Sequence, residues 1–248
     1  MSIPWAKNSL ISPVIVKRKL GLEEFLTQHK IPECPVLVQN AMDDWAAMDS
    51  ASSSRWSVER IQTVAGLRLV PVEIGSRYTD DSWTQALMTV KEFIESFMTG
   101  STEEGKMGYL AQHNLLDQVK ELKDDVEIPE YCYTGEDPDI NAWFGPAATV
   151  SPLHTDPKHN FLCQVFGKKY IRLYKRDQSS KLYPFDGIML FNTSQVDLEN
   201  ADLERFPTFR EAVGFECILN PGEMLYIPPK CWHFVKALDP SCSVSVWF

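Results

Sequence analysis

The stretch TVSPLHTDPKHNFLCQVFGKKYIRLY, Thr149–Tyr174, carries the residues that decide the fold and the chemistry of this chain. It contains His154-Thr155-Asp156, followed by two short strand-like runs that Gly167 separates. In an extended chain, the side chains at i and i+2 face the same way. We therefore expect His154 and Asp156 to offer an imidazole nitrogen and a carboxylate oxygen to one metal ion.

A third ligand is expected from a distant strand, and the candidate is His233 in NPGEMLYIPPKCWHFV, Asn220–Val235. Two imidazoles and one carboxylate on one side of an ion form the facial triad of Fe(II) oxygenases, which leaves about three coordination positions open. An oxygenase needs these open positions because a chelating co-substrate takes two of them and dioxygen takes one. The sequence therefore predicts an Fe(II) site made by His154, Asp156 and His233.

An H-x-D motif alone is common by chance, and a hydrogen-bonded His–Asp pair in a loop explains it as well. The metal interpretation is favoured because the motif opens a series of strands, with a P-G-E turn, a strand, prolines and His233 downstream. His159 is a competing ligand, but Pro157 breaks the alternation, so we expect His159 not to bind the metal. The isolated His29 and His113 are expected to have surface or core roles.

Lys169 lies in KKYIRLY, where it shares one strand face with Ile171 and Leu173. A lysine in line with aliphatic residues points toward a core or cavity, which is costly unless the ammonium meets an anion. A dicarboxylate co-substrate would supply that anion. The alternative is that Lys169 reaches the rim of the sheet beside the charged Lys168. The neighbouring metal triad favours the anion.

The two halves of the chain differ in texture. From about Ile140 onward, short strand-like runs follow one another with turn residues between them, which is typical of a barrel or sandwich. One helical insert is expected there, at about Asp202–Ala212. About the first 110 residues mix strands with helices. We predict a single, mainly β domain over residues 1–248, in which the α/β N-terminal part packs on a β-rich core of about residues 140–248.

The N-terminal part contains several predicted elements. Strands are expected at Pro35–Asn40 and Leu67–Gly75, and helices at Gly21–Gln28 and Trp56–Gly66. A further helix is expected within Trp83–Gly100, with Thr89 as the cap of its second part and Gly100 as its end.

The composition excludes several classes of protein. The chain has 248 residues, of which 44% are hydrophobic, so it can bury a large core and is not a disordered chain. No apolar run approaches the ~18–20 residues that cross a bilayer. A net charge of −10 argues against a broad face for nucleic acid and favours a basic protein partner, although ordinary solubility explains it equally well. We expect a monomer without a membrane or nucleic-acid partner.

The six cysteines include no C-x-x-C pair, and several lie in apolar strand-like runs. Buried free thiols in a reducing compartment fit this pattern better than a disulfide framework or a cysteine zinc site. The N-terminal MSIPWAKNSL lacks the long apolar segment of a secretory signal. We therefore expect a protein of the nucleus and cytoplasm.

The chain resembles the JmjC-domain family of 2-oxoglutarate oxygenases over nearly its whole length. Besides the metal motifs, the resemblance rests on VPVEIGSRYTD (Val70–Asp80), GYLAQH (Gly108–His113), INAWFGP (Ile140–Pro146) and NTSQVDLEN (Asn192–Asn200). It implies a double-stranded β-helix, a cupin-like jelly roll, flanked by helices. Relatives within this family carry a further N-terminal helical region, so the sequence is expected to be the catalytic part of a longer protein.

The resemblance also implies roles for individual residues. It implies that Lys169 and Tyr109, helped by Ser151, bind the far carboxylate of 2-oxoglutarate, and that Asn160 lies near the carboxylate closest to the metal. It assigns Glu73, Tyr78 and Trp143 to the substrate side of the pocket. A carboxylate beside aromatic faces suits a guanidinium. Plain core packing stays the alternative for Trp143.

The expected activity is an Fe(II)- and 2-oxoglutarate-dependent dioxygenase that uses O2 to hydroxylate arginine residues in protein substrates. The nearest alternative applies the same chemistry to N-methyl-lysine in histones, which is a chromatin-regulating demethylation. Demethylases of the family commonly carry Glu where this chain has Asp156, which favours hydroxylation without excluding demethylation. A different class is a non-catalytic or peptidase-like module that binds histone tails, although no H-E-x-x-H motif supports a zincin mechanism.

Overall fold

The structure is a computed structural model that describes residues 10–99, 107–133 and 135–248. Within these ranges it contains fourteen strands and five short α-helices. The strands are β1 (Ile11–Pro13), β2 (Ile15–Arg18), β3 (Val36–Gln39), β4 (Leu69–Ile74), β5 (Thr84–Thr89), β6 (Gly108–His113), β7 (Asp139–Gly145), β8 (Val150–Thr155), β9 (Asn160–Phe166), β10 (Lys169–Tyr174), β11 (Gly214–Leu219), β12 (Met224–Ile227), β13 (Trp232–Ala237) and β14 (Ser241–Trp247).

The helices flank the strands. They are α1 (Leu22–Phe25), α2 (Val58–Ala65), α3 (Val90–Phe93), α4 (Leu115–Gln118) and α5 (Lys120–Asp124), with π-helical turns at Leu26–Lys30 and Ile94–Met98 that extend α1 and α3. Short 3-10 helices lie at Ala46–Met48, Glu130–Cys132, Arg176–Lys181 and Pro207–Glu211. No helix in the described ranges is both long enough and apolar enough to cross a lipid bilayer.

The strands form two sheets, one of five strands and one of nine. One has the order β1-β11-β10-β13-β8, and the other has the order β2-β3-β12-β9-β14-β7-β6-β4-β5. From β8 to β14 the chain passes back and forth between them, and neighbouring strands of this part pair antiparallel. This is the arrangement of a jelly roll, so the predicted double-stranded β-helix is confirmed.

The core lies in layers on either side of the sheets. Between them, side chains from both inner faces form one apolar cluster, which includes Leu162, Ile171, Leu225 and Val235. The outer face of the nine-stranded sheet is covered by the helices, because Ile61 of α2 and Phe93 of α3 pack in one cluster with buried strand residues. The strands of this sheet therefore present one face to the helices and the other to the interior of the jelly roll.

Local sequence explains where several elements begin and end. Ser57 caps α2 by accepting a hydrogen bond from the Arg60 amide at 3.2 Å, and Thr89 and Glu92 form a capping box at the start of α3. Gly167 turns the chain between β9 and β10 with a φ of +70°, and a Cβ there would lie 2.3 Å from the Pro240 carbonyl oxygen. Only glycine fits this turn.

Two predicted elements differ from the structure. Residues Thr84–Thr89 form β5 and pair with β4, so the helix begins only at Val90, after the predicted Thr89 cap. Pairing with a neighbouring strand overrides the helical spacing of this stretch. The expected helical insert at Asp202–Ala212 contains only the 3-10 helix Pro207–Glu211. The predicted end at Gly100 lies outside the described residues.

Candidate metal centre

The three predicted ligands meet where β8 and β13 pair. His154 lies near the end of β8, Asp156 follows that strand directly, and His233 of β13 is the register partner of His154. The Nε2 atoms of His154 and His233 lie 3.9 Å and 3.4 Å from the carboxylate oxygens of Asp156. One ligand atom from each residue falls within 4.8 Å of the others, which is a spacing that one ion could bridge.

Backbone carbonyls fix the orientation of both imidazoles. His154 Nδ1 lies 2.7 Å from the Pro152 carbonyl oxygen, and His233 Nδ1 lies 3.1 Å from that of Cys231. A carbonyl oxygen only accepts, so each Nδ1 carries the proton and donates it. The lone pair is thereby left on Nε2, which is the atom that faces Asp156. Such second hydrogen bonds are typical of metal-binding histidines.

The protonation states also suit a divalent cation. Burial, together with the neighbouring His233, lowers the pKa of His154 to about 4, so His154 is neutral at pH 7. Burial alone would raise the pKa of Asp156, but the adjacent imidazoles of His233 and His154 bring it below its ordinary value. The site therefore presents a neutral imidazole and a charged carboxylate without needing to release protons first. These residues fit Fe(II) as the family implies.

A partly open cavity lined by these three residues extends into the jelly roll. Its wall includes all four residues predicted to bind the co-substrate, which are Tyr109, Ser151, Asn160 and Lys169. Trp143 also lines it. Apolar side chains complete the wall, among them Leu162, Ile227 and Val235. The fold thus brings the predicted metal ligands and the predicted co-substrate residues to one cavity.

Lys169 is the buried cation of this cavity. Its side chain is 2% exposed, and its Nζ donates to the Tyr109 hydroxyl at 3.4 Å. No carboxylate in the described part of the chain lies within ion-pairing distance of it. Burial lowers the pKa of Lys169 to about 8 because the charged form loses its hydration. A buried ammonium whose contact is a phenol offers a strong site for an anion.

Another polar residue of the cavity has an atom without a partner among the described residues, and a second is a buried phenol. Asn160 is 5% exposed, and its Oδ1 atom is buried without a hydrogen-bond partner in the described residues. Tyr109 is buried, and burial raises the pKa of its hydroxyl well above its ordinary value, while the nearby Ser151 hydroxyl offsets part of that rise. An orphaned amide and a buried phenol are suited to a polar ligand.

The three predicted substrate-side residues occupy different positions. Trp143 lines the cavity and donates from Nε1 to Ser245 Oγ at 2.8 Å. Its side chain therefore both faces the cavity and is held by the neighbouring strand. The Tyr78 ring is edge-on to the His154 ring, with the two ring centroids 6.5 Å apart. Burial raises the pKa of the Tyr78 hydroxyl to about 12. Glu73 lies opposite Tyr109 in the pairing of β4 with β6. Neither Tyr78 nor Glu73 lines the cavity itself.

The environment of Glu73 suits a cation that comes from outside. Burial raises the pKa of this carboxyl, and the Trp83 side chain offsets part of the rise. In the described residues no lysine or arginine forms an ion pair with Glu73. A half-buried carboxylate of this kind gains most from an incoming basic side chain.

Some residues that shape the site were not singled out from the sequence. The Thr193 hydroxyl shares a hydrogen bond with the Tyr78 hydroxyl at 3.1 Å, and the Thr193 backbone forms an isolated antiparallel β-bridge with His154. Asn192 Nδ2 donates to the Thr155 carbonyl at 2.9 Å. Both belong to NTSQVDLEN, a motif to which no role had been given. Ser245 could have been found from the alternation of serines in SCSVSVWF, which places polar residues on one strand face.

The remaining histidines lie apart from the metal ligands. His159 accepts or donates a hydrogen bond with the Tyr226 hydroxyl at 2.7 Å and stacks on Phe248, outside the ligand cluster. His29 is buried beside the Cys34 carbonyl, and His113 contacts Gln118. Their positions agree with the expected core and surface roles.

Comparison with known proteins gives a consistent picture. Residues 22–248 match the family model described as a cupin-like domain. The chain is 52% identical over 232 residues to lysine-specific demethylase 8 of Xenopus tropicalis, covering 92% of this chain and 51% of that protein. It is 48% identical over 245 residues to lysine-specific demethylase JMJ30 of Arabidopsis thaliana, covering 97% and 56%.

A third relative carries the name of the domain itself. The chain is 42% identical over 236 residues to Jumonji C domain-containing protein 5 of Drosophila melanogaster, covering 92% of this chain and 58% of that protein. In each case the chain spans little more than half the length of the curated relative that it matches.

Proposed function

The chain belongs to the family of cupin-like JmjC domains, and we propose that it catalyses an Fe(II)- and 2-oxoglutarate-dependent oxidation of a basic side chain in a protein substrate. The observation that carries this proposal is the buried Lys169 ammonium, which has no carboxylate partner among the described residues and shares a cavity with His154, Asp156 and His233. A 2-oxo dicarboxylic acid would match this arrangement, because one end of it can chelate a metal and the carboxylate at its other end can pair with Lys169.

The residues of the chain bind and orient the reactants. His154, Asp156 and His233 would hold Fe(II) on one side only, and bound iron supplies the activation of O2 that is coupled to oxidation of 2-oxoglutarate to succinate. Lys169 and Tyr109 would bind the distal carboxylate of 2-oxoglutarate through an ion pair and a hydrogen bond. The side-chain amide of Asn160 would donate from Nδ2 to the end of the co-substrate that lies nearer the metal, because a carboxylate only accepts hydrogen bonds. Ser151 would support Tyr109.

The walls of the cavity contribute by excluding water. Leu162, Ile227 and Val235 surround the polar groups with apolar surface, which strengthens the electrostatic contacts to an anion in the cavity. Trp143 is held in place by its hydrogen bond to Ser245 and separates the cavity from the surrounding core. A dry, shaped cavity also limits side reactions of the oxidant.

Among substrates, N-methyl-lysine in histones is the candidate that the relatives support best. Two of the similar proteins, at 52% and 48% identity, are named lysine-specific demethylases. Hydroxylation of the N-methyl group would release it as formaldehyde, and the product would be a lysine with one methyl group fewer. Arginine hydroxylation, the activity expected first from the sequence, has no support from these names.

Arginine hydroxylation stays a second candidate because of Glu73. This carboxylate is half-buried, has no ion-pair partner in the described residues and lies in the same row as Tyr109. A guanidinium can form two parallel hydrogen bonds with a carboxylate, whereas a methylated ammonium cannot. A pocket for methyl-lysine therefore gains less from Glu73 than a pocket for arginine.

A panel of peptides distinguishes these candidates. Histone-tail and arginine-containing peptides are incubated with the chain, Fe(II), ascorbate and 2-oxoglutarate, and succinate and the peptide mass are measured together. Demethylation removes the mass of one methylene group, whereas hydroxylation adds one oxygen atom. We expect succinate in either case, and Asp156→Ala should abolish it. Peptide binding without succinate from the unmodified chain would favour a non-catalytic histone-tail module.

The location in the nucleus and cytoplasm, and a monomeric state, stay predictions of the sequence. A basic protein substrate is consistent with the net charge of −10. Imaging of the tagged chain and sedimentation velocity test these two points directly.

A further inference from the structure

The register of three strands places Glu73 in a row of side chains that continues the cavity. Glu73 pairs with Tyr109 of β6 on one side and with Gln85 of β5 on the other. Residues directly opposite each other in antiparallel strands project to the same face of the sheet. Because Tyr109 lines the cavity, Glu73 and Gln85 lie on the face that leads out of it.

The next rows on the same face are apolar and exposed to solvent. Moving along β4 away from Glu73, the next pair is Pro71 with Leu87, and the pair after that is Leu69 with Thr89. Leu87 is 69% exposed and Leu69 is 55% exposed. This group of Leu69, Pro71 and Leu87 is called the β4–β5 apolar face below.

The opposite face of the same strands is buried. Val70 and Val72 of β4 are fully buried in the cluster that the helices α2 and α3 cover. The strand therefore presents aliphatic residues on both faces, although only one of them is covered. The apolar residues on the uncovered face are not needed for the core, and β5 is the last strand of the sheet, so the face is open at its border.

The spacing of these rows matches an extended polypeptide. Residues i and i+2 of a strand are about 6.6–6.8 Å apart, so Leu87 and Pro71 lie about 7 Å from the Glu73 row and Leu69 about 13 Å from it. An extended chain advances by the same amount per residue. Consider an extended polypeptide that runs along β4 with a basic side chain at Glu73. Its side chains two and four residues from that basic residue would lie over Leu87 and Leu69.

We propose that the β4–β5 apolar face binds apolar side chains of the protein substrate at the second and fourth residues from the oxidised basic residue. This inference rests on the proposed function, because it takes the occupant of the Glu73 row to be that substrate. The face is continuous with the cavity, and the row next to it carries the carboxylate that complements a basic residue. Specificity then comes from neighbouring apolar positions as well as from the basic residue itself.

A second copy of the chain is a poorer occupant for this face. A stable dimer usually buries about 800 Å² on each partner, which three side chains cannot supply. A substrate segment needs far less area, because it is also held at the cavity by Glu73. The size of the face thus agrees with a short peptide contact.

Direct binding of designed peptides tests the proposal. Fluorescein-labelled 15-residue Gly/Ser peptides carry a central arginine or dimethyl-lysine, with either leucine or serine at the second and fourth positions on both sides. Binding to the full chain with Mn(II) and N-oxalylglycine, an inert analogue of 2-oxoglutarate, is followed by fluorescence anisotropy. We expect the leucine peptide to bind about tenfold more tightly, since partial burial of one leucine supplies about 1.4 kcal/mol.

The variants Leu69→Thr and Leu87→Thr should reduce this preference to less than twofold, and threonine keeps the β propensity of both positions. Ile31→Thr is the matched control, because Ile31 is 76% exposed and precedes β3, near the opposite end of the sheet order. It should retain the preference. Circular dichroism and thermal unfolding verify that all three variants are folded.

Three results would each overturn the proposal. The first is equal affinity for the leucine and serine peptides, and the second is a leucine preference that survives in both Leu69→Thr and Leu87→Thr. The third is the absence of any peptide binding. Self-association that Leu87→Thr abolishes would assign the face to a second copy instead. Oxidised peptides without a leucine preference would leave the proposed function intact, whereas a leucine preference without succinate would preserve the docking face and remove the proposed chemistry.

Discussion

His233 lies directly opposite His154 in the pairing of β13 with β8, and the centroids of the two rings are 4.1 Å apart. The two strands belong to the same sheet, but their sequences are far apart in the chain. Each ring donates from Nδ1 to a carbonyl two residues earlier, so both present Nε2 to Asp156. Strand pairing therefore brings the two histidines of the candidate metal centre together, and Asp156 follows directly after β8.

Removal of one ligand should eliminate metal binding. In Asp156→Ala we expect the affinity for Mn(II), measured by calorimetry or electron paramagnetic resonance, to fall by about 100-fold or more. Loss of residues that only support the ligands already costs 10–100-fold in metal sites. His113→Ala, outside the cluster, should bind the metal normally. Unchanged Mn(II) affinity in Asp156→Ala would contradict the assignment of these three ligands.

Lys169→Met should weaken the binding of 2-oxoglutarate. Methionine keeps the length of the side chain but removes the ammonium, so the distal carboxylate would lose its ion pair in a buried setting. Breaking such a pair costs about 3–5 kcal/mol, and the KM for 2-oxoglutarate should rise by about 100-fold or more. The exposed neighbour gives a matched control, and Lys168→Met should leave this KM unchanged. Similar KM values in both variants would place the co-substrate elsewhere.

The same lysine should make stability depend on pH. Burial lowers its pKa from 10.5 to about 8 in the folded chain, so unfolding takes up a proton between these values. Lys169 therefore destabilises the ligand-free fold below about pH 8, and this destabilisation fades as the pH rises toward 10.5. The difference corresponds to about 3 kcal/mol.

Chemical denaturation measures this effect. Lys169→Met should be more stable than the unmodified chain at pH 7, by up to about 3 kcal/mol, and the advantage should shrink by pH 10. Lys168→Met should show no such trend. A Lys169→Met variant that is less stable at every pH would mean that Lys169 has a favourable partner in the fold.

Glu73→Gln should separate peptide recognition from co-substrate use. The amide has the same shape but no charge, so an arginine peptide should lose its bidentate ion pair and its KM should rise by about tenfold or more. The KM for 2-oxoglutarate should not change. Glu95→Gln removes an exposed carboxylate of a surface ion pair and should affect neither value. An equal loss for peptide and co-substrate would show that Glu73 supports the fold of the site instead.

The hydrogen bond between Trp143 and Ser245 should contribute modestly to stability. Trp143→Phe removes the donor and keeps most of the packing, and we expect a loss of about 1 kcal/mol in the free energy of unfolding. Ser245→Ala should cost more, about 1–3 kcal/mol, because it leaves the indole nitrogen without its acceptor.

The double variant reports the pair itself. The double variant Trp143→Phe/Ser245→Ala should lose less free energy of unfolding than the two single variants lose together. The reason is that neither group is left unpaired in it. Strict additivity would indicate that the contact carries no energy and that Trp143 acts only through the cavity wall.

The local pattern of the sequence was enough for many features of this protein. Alternation in KKYIRLY predicted that Lys169 shares a face with Ile171 and Leu173, and all three are buried toward the interior. Thr89 was predicted as a cap, and it forms the capping box of α3. These features depend on residues a few positions apart, whose relative geometry the strand or helix repeat fixes.

Other features required contacts between distant segments. The stretch Thr84–Thr89 became a strand because β4 offered it a hydrogen-bonding partner, which its own spacing did not indicate. Thr193 reached Tyr78 and His154 only through the folding of a long connection over β8. No periodicity within either segment encodes such a pairing, since it depends on what lies alongside.

The sequence by itself was enough to predict the three residues of the candidate metal site and the alternation that turns His154 and Asp156 to one side, because side-chain direction follows from the strand repeat. Only the tertiary structure decided the rest. The register of β13 against β8 places His233 opposite His154, and the register of β4 against β6 and β5 joins Glu73 to the cavity and to exposed Leu87. Register is set by the packing of whole sheets, and a shift of one residue would turn each of these side chains to the opposite face.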